Sequence, residues 1–170
     1  TDPLSIKDWI TDFTLSLRLN TLHEGFRAAV MAVQSKIERG IRKRSASEQP
    51  LFFTGHSMGG ALANISAMLA LKAGLPATAV YTFGGPRTGG QEFVEDYEPL
   101  ADRTFRLAHG NDIVPAVPPS LFGNFHHVGR MLRCSHGSSF GQNPEPKGGD
   151  GPSLIQIGLS TLNDFDLDKV

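Results

Sequence analysis

A chain of 170 residues, 39% hydrophobic and 19% charged, can enclose a sizeable core in one domain and has the make-up of an ordinary globular protein. Sixteen basic and seventeen acidic residues leave a formal charge of -1, and the one dense basic run, Arg39-Gly40-Ile41-Arg42-Lys43-Arg44, closes a predicted helix, where cations suit the dipole; nucleic acid is set aside as a partner. The lone Cys134 excludes a disulfide within the chain, and no apolar run reaches the length of a transmembrane segment.

Ser5-Ile6-Lys7-Asp8-Trp9-Ile10 reads as a short helix with Ser5 as N-cap and the sole tryptophan, Trp9, on it. Phe13, Leu15, Leu17 and Leu19 alternate as in a strand. From Thr21 a long helix follows, with Phe26, Val30, Val33, Ile37 and Ile41 on one apolar stripe. Leu51 to Thr54 is a strand. The segment after Ser57, from Ala61 to Leu71, is rich in helix formers and stops at Gly74-Leu75-Pro76. Ala79 to Phe83 is the next strand, Gln91 to Tyr97 a short helix, and Thr104 to Ala108 a further strand. Alternation of helix and strand from residue 21 to residue 108 predicts an α/β fold with a largely parallel sheet flanked by helices. Beyond Asp112 the pattern weakens, and residues 135–153 read as loop, with a Gly/Pro-rich stretch over 141–150.

The chemistry centres on Gly55-His56-Ser57-Met58-Gly59, a serine between glycines where a strand turns directly into a helix. Glycines two before and two after the serine let strand and helix pass without a Cβ clash, and the turn holds the serine in a strained conformation. A serine hydroxyl is a weak nucleophile alone, so the motif demands a histidine base and an acid to orient it. The acid is expected on a loop just after a later strand. Asp112, in His109-Gly110-Asn111-Asp112-Ile113-Val114-Pro115, fits, whereas Asp96 and Asp102 fall in a helix and a linker that face solvent.

Trp9-Ile10-Thr11-Asp12, His23-Glu24-Gly25-Phe26, Gly55 to Gly60, Tyr81-Thr82-Phe83-Gly84-Gly85-Pro86-Arg87-Thr88-Gly89, and Asn111 to Pro115 with Pro118-Pro119 together resemble the class 3 lipases, the fungal triacylglycerol lipases and their bacterial relatives. The resemblance spans nearly the whole chain and implies one α/β-hydrolase domain over residues 1–170. It implies Ser57 as nucleophile, Asp112 as triad acid, the Met58 N–H as one oxyanion donor, and Ser5 to Thr11 with Trp9 as a lid that opens at a lipid surface. Thr1-Asp2-Pro3 looks like the family's strand-end oxyanion motif lacking its first residues, which makes Thr1 the candidate second donor. The implied chemistry is serine hydrolysis of a lipid or other carboxylic ester, with no metal or organic cofactor.

The base is where the chain departs from the family. His23, His56, His109, His126 and His127 occupy positions outside the catalytic role, which leaves His136 within the chain. In the family the catalytic histidine follows an aspartate near the domain's end, so the expectation is that it lies beyond Val170 and that the chain also lacks the first strand or strands. A catalytically silent hydrolase-fold interaction domain is the competing function, and a phospholipase or feruloyl esterase is an alternative within the family. Both cytoplasmic and secreted bacterial locations stay open.

Overall fold

The computed structural model describes residues 22–45, 49–110, 112, 114–118, 125–134 and 141–142. The predicted helix at Ser5 to Ile10 and strand at Phe13 to Leu19 lie outside these residues, as do Thr1, Trp9 and His136. The elements run α1 (Leu22–Ser45), β1 (Phe52–His56), α2 (Met58–Lys72), β2 (Ala79–Phe83), α3 (Gln91–Ala101), β3 (Thr104–His109), a 3-10 turn (Val114–Ala116), β4 (Arg130–Cys134) and β5 (Gly141–Gln142). The sheet order follows the chain, β1-β2-β3-β4-β5. The first four strands are parallel, in the α/β arrangement expected from the alternating pattern.

Pairing extends two strands past their expected ends. Gly55 and His56 stay in β1 because they pair with Thr82 and Phe83, and His109 stays in β3 opposite Cys134. Helix α3 continues to Ala101 through Pro99, since Leu100 is fully buried in the core at its end. Two strands were not expected. β4 carries Arg130 and Arg133, so its periodicity is weak, yet its register against Phe105 to His109 makes it the fourth parallel strand. Gly141 and Gln142, read as the start of a loop, pair antiparallel with Arg133 and Leu132.

Helix α2 is the central element. It is rich in alanine, and Ala61, Ala63, Ala67 and Ala70 are all buried, which lets the helix approach the sheet closely. It packs on β1 and β2 with one side and on α1 with the other, so it is apolar nearly all round, as a helix covered on both sides must be. Phe26 and Val30 of α1 join Ile65, Val80, Phe93, Tyr97 and Leu100 in one core. Full burial of a side chain such as Ile65 or Leu100 stabilises by about 1.5–3 kcal/mol. The α1 stripe is only partly realised: Phe26 and Val30 make its contact with the core, whereas Val33 is 41% exposed. At its other end the Arg42 guanidinium donates to the Ala73 carbonyl at 2.9 Å, which fixes the two helices at their C-terminal ends.

The two faces of the sheet differ. The side of Phe53, Val80 and Thr104 is covered by α2 and α3, whereas on the other side Phe52, Tyr81 and Phe83 remain exposed among the described residues. Tyr81 stacks on Phe105 there, with ring centroids 5.3 Å apart.

Candidate active site

The strand–turn–helix expected around the serine is present. β1 ends at His56, Ser57 occupies the turn, and α2 begins at Met58. Ser57 has φ 55° and ψ -128° and is the one described non-glycine residue with positive φ. Such a conformation costs about 1–3 kcal/mol and persists where the surroundings impose it. Here the Ser57 N–H donates to the Phe83 carbonyl at 2.9 Å and the Ser57 carbonyl accepts from Gly60 N–H at 2.8 Å. Ser57 stands at the N-cap position yet makes no side-chain capping hydrogen bond. The Met58 N–H is the first of α2, where a helix has no preceding turn to accept it, and the first turn holds no acidic residue.

The glycines around the serine do not share one job. A Cβ on Gly55 would overlap the Gly59 carbonyl, so strand and helix cross there only without a side chain. A Cβ on Gly59 would meet nothing within 4 Å, and the second tight position is instead Gly60, where a Cβ would come 3.1 Å from the Gly85 Cα. The expectation of a clash two residues after the serine is thus corrected by one residue, because it is Gly60 that faces β2 and the strand end beyond it.

Asp112 follows β3 and a left-handed Gly110. Its Oδ1 accepts from Val114 N–H at 3.0 Å, and its own N–H donates to the His109 carbonyl at 3.1 Å. Its Oδ2 lies against Gly84, the residue after β2: a Cβ there would overlap the carboxylate, and Gly84 also has φ 54°. Ser57 is tied to Phe83 and Asp112 is seated on Gly84, so both residues meet the carboxyl end of β2, the strand that lies between β1 and β3. Asp112 keeps an exposed side, but the protein packed around the rest of it raises its pKa above the usual carboxylate value. The Val114 N–H and the nearby imidazoles of His56 and His109 oppose that rise.

The rival acids are elsewhere. Asp96 pairs with Lys72 at 2.5 Å and Asp102 with Arg130 at 2.8 Å, both at the surface. His127 turns to the backbone, its Nε2 2.7 Å from the Pro115 carbonyl. The structure brings His56 as well as His109 near Asp112, and it buries Arg87. The latter is 2% exposed and donates through Nη1 to the carbonyls of Ala116 (2.6 Å) and Pro118. Arginine beside proline in Gly84 to Gly89 was the available signal. Next to it Thr88 accepts from Asn64 Nδ2 at 3.0 Å, in a buried group that continues through Tyr97 to Thr104. Burial pushes the Tyr97 phenol up to about 12.

Beside the serine, Met58 and Phe83 are 40% and 42% exposed, which gives the site an apolar rim.

The family model described as Lipase (class 3) matches residues 3–122. Secreted mono- and diacylglycerol lipase 1 of Fusarium solani is 32% identical over 131 residues, 72% of this chain and 39% of that protein. Phospholipase A1-Igamma1, chloroplastic, of Arabidopsis thaliana is 31% identical over 139 residues, 66% of this chain and 27% of that protein. The structure of lipase II from Rhizopus niveus superposes with a TM-score of 0.62 at 29% identity, over 68% of this chain and 45% of that one. The chain thus spans well under half the length of the curated relatives it matches.

Proposed function

The chain belongs to the class 3 lipase family, and on that premise we propose that it is the core of a serine carboxylic-ester hydrolase acting on acyl esters of lipids. The observation that carries the reading is Ser57 held at φ 55° on the strand–helix turn, with Asp112 seated on Gly84 one strand away. A scaffold without catalysis has no use for a serine strained by about 1–3 kcal/mol and uncommitted to capping its helix.

In the proposed reaction, Ser57 Oγ attacks the ester carbonyl carbon while its proton passes to a histidine imidazole. Asp112 orients that imidazole and balances its positive charge. The carbonyl oxygen becomes an oxyanion facing the Met58 N–H, with Thr1 as the proposed second donor. Collapse expels the alcohol, which takes the proton from the imidazolium, and leaves an acyl-enzyme. Water then attacks the acyl carbon, and Ser57 regains its proton as the fatty acid departs. The base is either His136 or a histidine supplied by sequence following Val170. Exposed Met58 and Phe83 suit an acyl chain beside the serine, and Trp9 on the Ser5 to Thr11 segment is the proposed lid. Acylglycerols and phospholipids are both compatible with what the named relatives are.

Hydrolysis of p-nitrophenyl butyrate by the full-length protein, with Ser57→Ala and His136→Ala, tests this. The expected result is loss in Ser57→Ala by about a thousandfold or more. Loss in His136→Ala would make His136 the base, and retention would exclude it. No hydrolysis of short or long acyl esters by the full-length protein would refute the enzyme reading.

A further inference from the structure

The segment after the candidate acid is held in an unusual way. From residue 115 to residue 118, every backbone carbonyl is engaged by one of two residues. His127 takes Pro115, with Nε2 2.7 Å from that oxygen; a carbonyl only accepts, so Nε2 carries the proton. Arg87 takes the other three: Nη1 donates to Ala116 at 2.6 Å and to Pro118, and the Arg87 backbone N–H donates to Val117 at 2.9 Å. Arg87 is 2% exposed, in the segment that follows β2 and Gly84, whereas the turn it holds follows β3. A buried guanidinium is costly unless its donors are satisfied, and here Nη1 is satisfied by two backbone carbonyls.

We propose that Arg87, with His127 as its companion, is a positioning residue for Asp112: it clamps the 114–118 turn so that the carboxylate stays seated on Gly84. The inference rests on Asp112 being the triad acid. Its mechanical logic is short. Asp112 Oδ1 bonds Val114 N–H, Val114 opens the 3-10 turn, and the turn's remaining carbonyls are gripped from Arg87 and His127. Arg87 and Gly84 are three residues apart on one connection, so the same segment supplies both the seat of the carboxylate and the clamp on its loop. Lysine is a poor replacement for this grip, because its ammonium is more strongly hydrated than a guanidinium and costs more to bury among carbonyls.

The test compares Arg87→Lys and His127→Phe with wild type in the full-length protein, using two readouts. The first is the Asp112 carboxyl titration, followed by carbon-13 NMR on samples whose far-UV circular dichroism is native. In wild type the group titrates above the usual carboxylate range because of burial. In both variants it is expected to move towards the ordinary value of 3.8 as the loosened turn draws away from its packed side. The second is turnover of p-nitrophenyl butyrate: kcat is expected to fall about 10- to 100-fold in Arg87→Lys with KM nearly constant, as for a catalytic group misplaced by about an ångström. In an Asp112→Asn background Arg87→Lys is expected to add no further loss, since it acts through that carboxylate. An unchanged Asp112 titration in either folded variant overturns the proposal, and so does a full additional loss in the Asp112→Asn background. Should Arg87→Lys fail to fold, His127→Phe carries the same titration test. Absence of hydrolysis in wild type would count against the enzyme reading alone, because the titration needs no turnover.

Discussion

Gly84→Ala adds one methyl group at the point where the strand end meets the candidate acid. Two separate costs follow. Gly84 has φ 54°, which costs an L residue about 1–2 kcal/mol. The new Cβ would also overlap Asp112 Oδ2, so the carboxylate must swing away and stretch or lose its bond to Val114 N–H. That bond, at a partly exposed carboxylate, stabilises by about 1–2 kcal/mol. Together the loss is about 2–4 kcal/mol, or roughly 4–16 °C in Tm for a domain of this size. Gly74→Ala separates the terms, because Gly74 has φ 74° and a Cβ there would meet nothing within 4 Å. It should cost the backbone term alone, about 1–2 kcal/mol, and leave turnover unchanged. Gly84→Ala should lower kcat about 100-fold, the effect of an ångström-scale displacement. The assay pairs thermal melting with hydrolysis of p-nitrophenyl butyrate by the full-length protein. If Gly84→Ala kept wild-type turnover and melted with Gly74→Ala, Asp112 would not depend on that seat and the reasoning would fail.

Ser57→Gly should relieve the strain at φ 55° while losing some stability to glycine's greater chain entropy, for a net gain of about 1 kcal/mol and a Tm rise of about 2–4 °C. Ser57→Ala keeps a Cβ in the same conformation and should show no such rise, although both variants lose turnover; equal melting temperatures would mean that the turn imposes no strain. For Asp112 the pKa in the folded chain lies above the unfolded value of 3.8, so the folded state holds the proton to higher pH. Its contribution to stability is therefore fullest below pH 3.8 and declines as pH rises through the folded value. Asp112→Asn keeps an oxygen for Val114 N–H and removes the charge. It should melt above wild type at neutral pH, with the difference closing in acid below pH 3.8, and a variant no more stable than wild type at neutral pH would contradict the burial argument.

What the sequence determined by itself was local. The apolar run before Ser57, the alanine-rich segment after it and the glycines between them depend on neighbours a few residues apart, so β1, α2 and β2 could be read from periodicity and punctuation. The interval from β3 to Asp112 was legible for the same reason. Tertiary structure decided whatever depends on residues distant in the chain. β4 became a strand because β3 offered it a register, although Arg130 and Arg133 hide its pattern. Val33 lies on the apolar stripe of α1 but is exposed, because where α1 rests on α2 is set by packing and not by the period of the helix. Gly60, not Gly59, proved to be the tight position, since only the approach of α2 to the end of β2 identifies which glycine faces it. The surroundings of Asp112 follow the same rule. Gly84 and Arg87, from the connection after β2, and His127, from the segment before β4, reach it or its loop, and their effect is set by distance through space, which spacing along the chain does not encode.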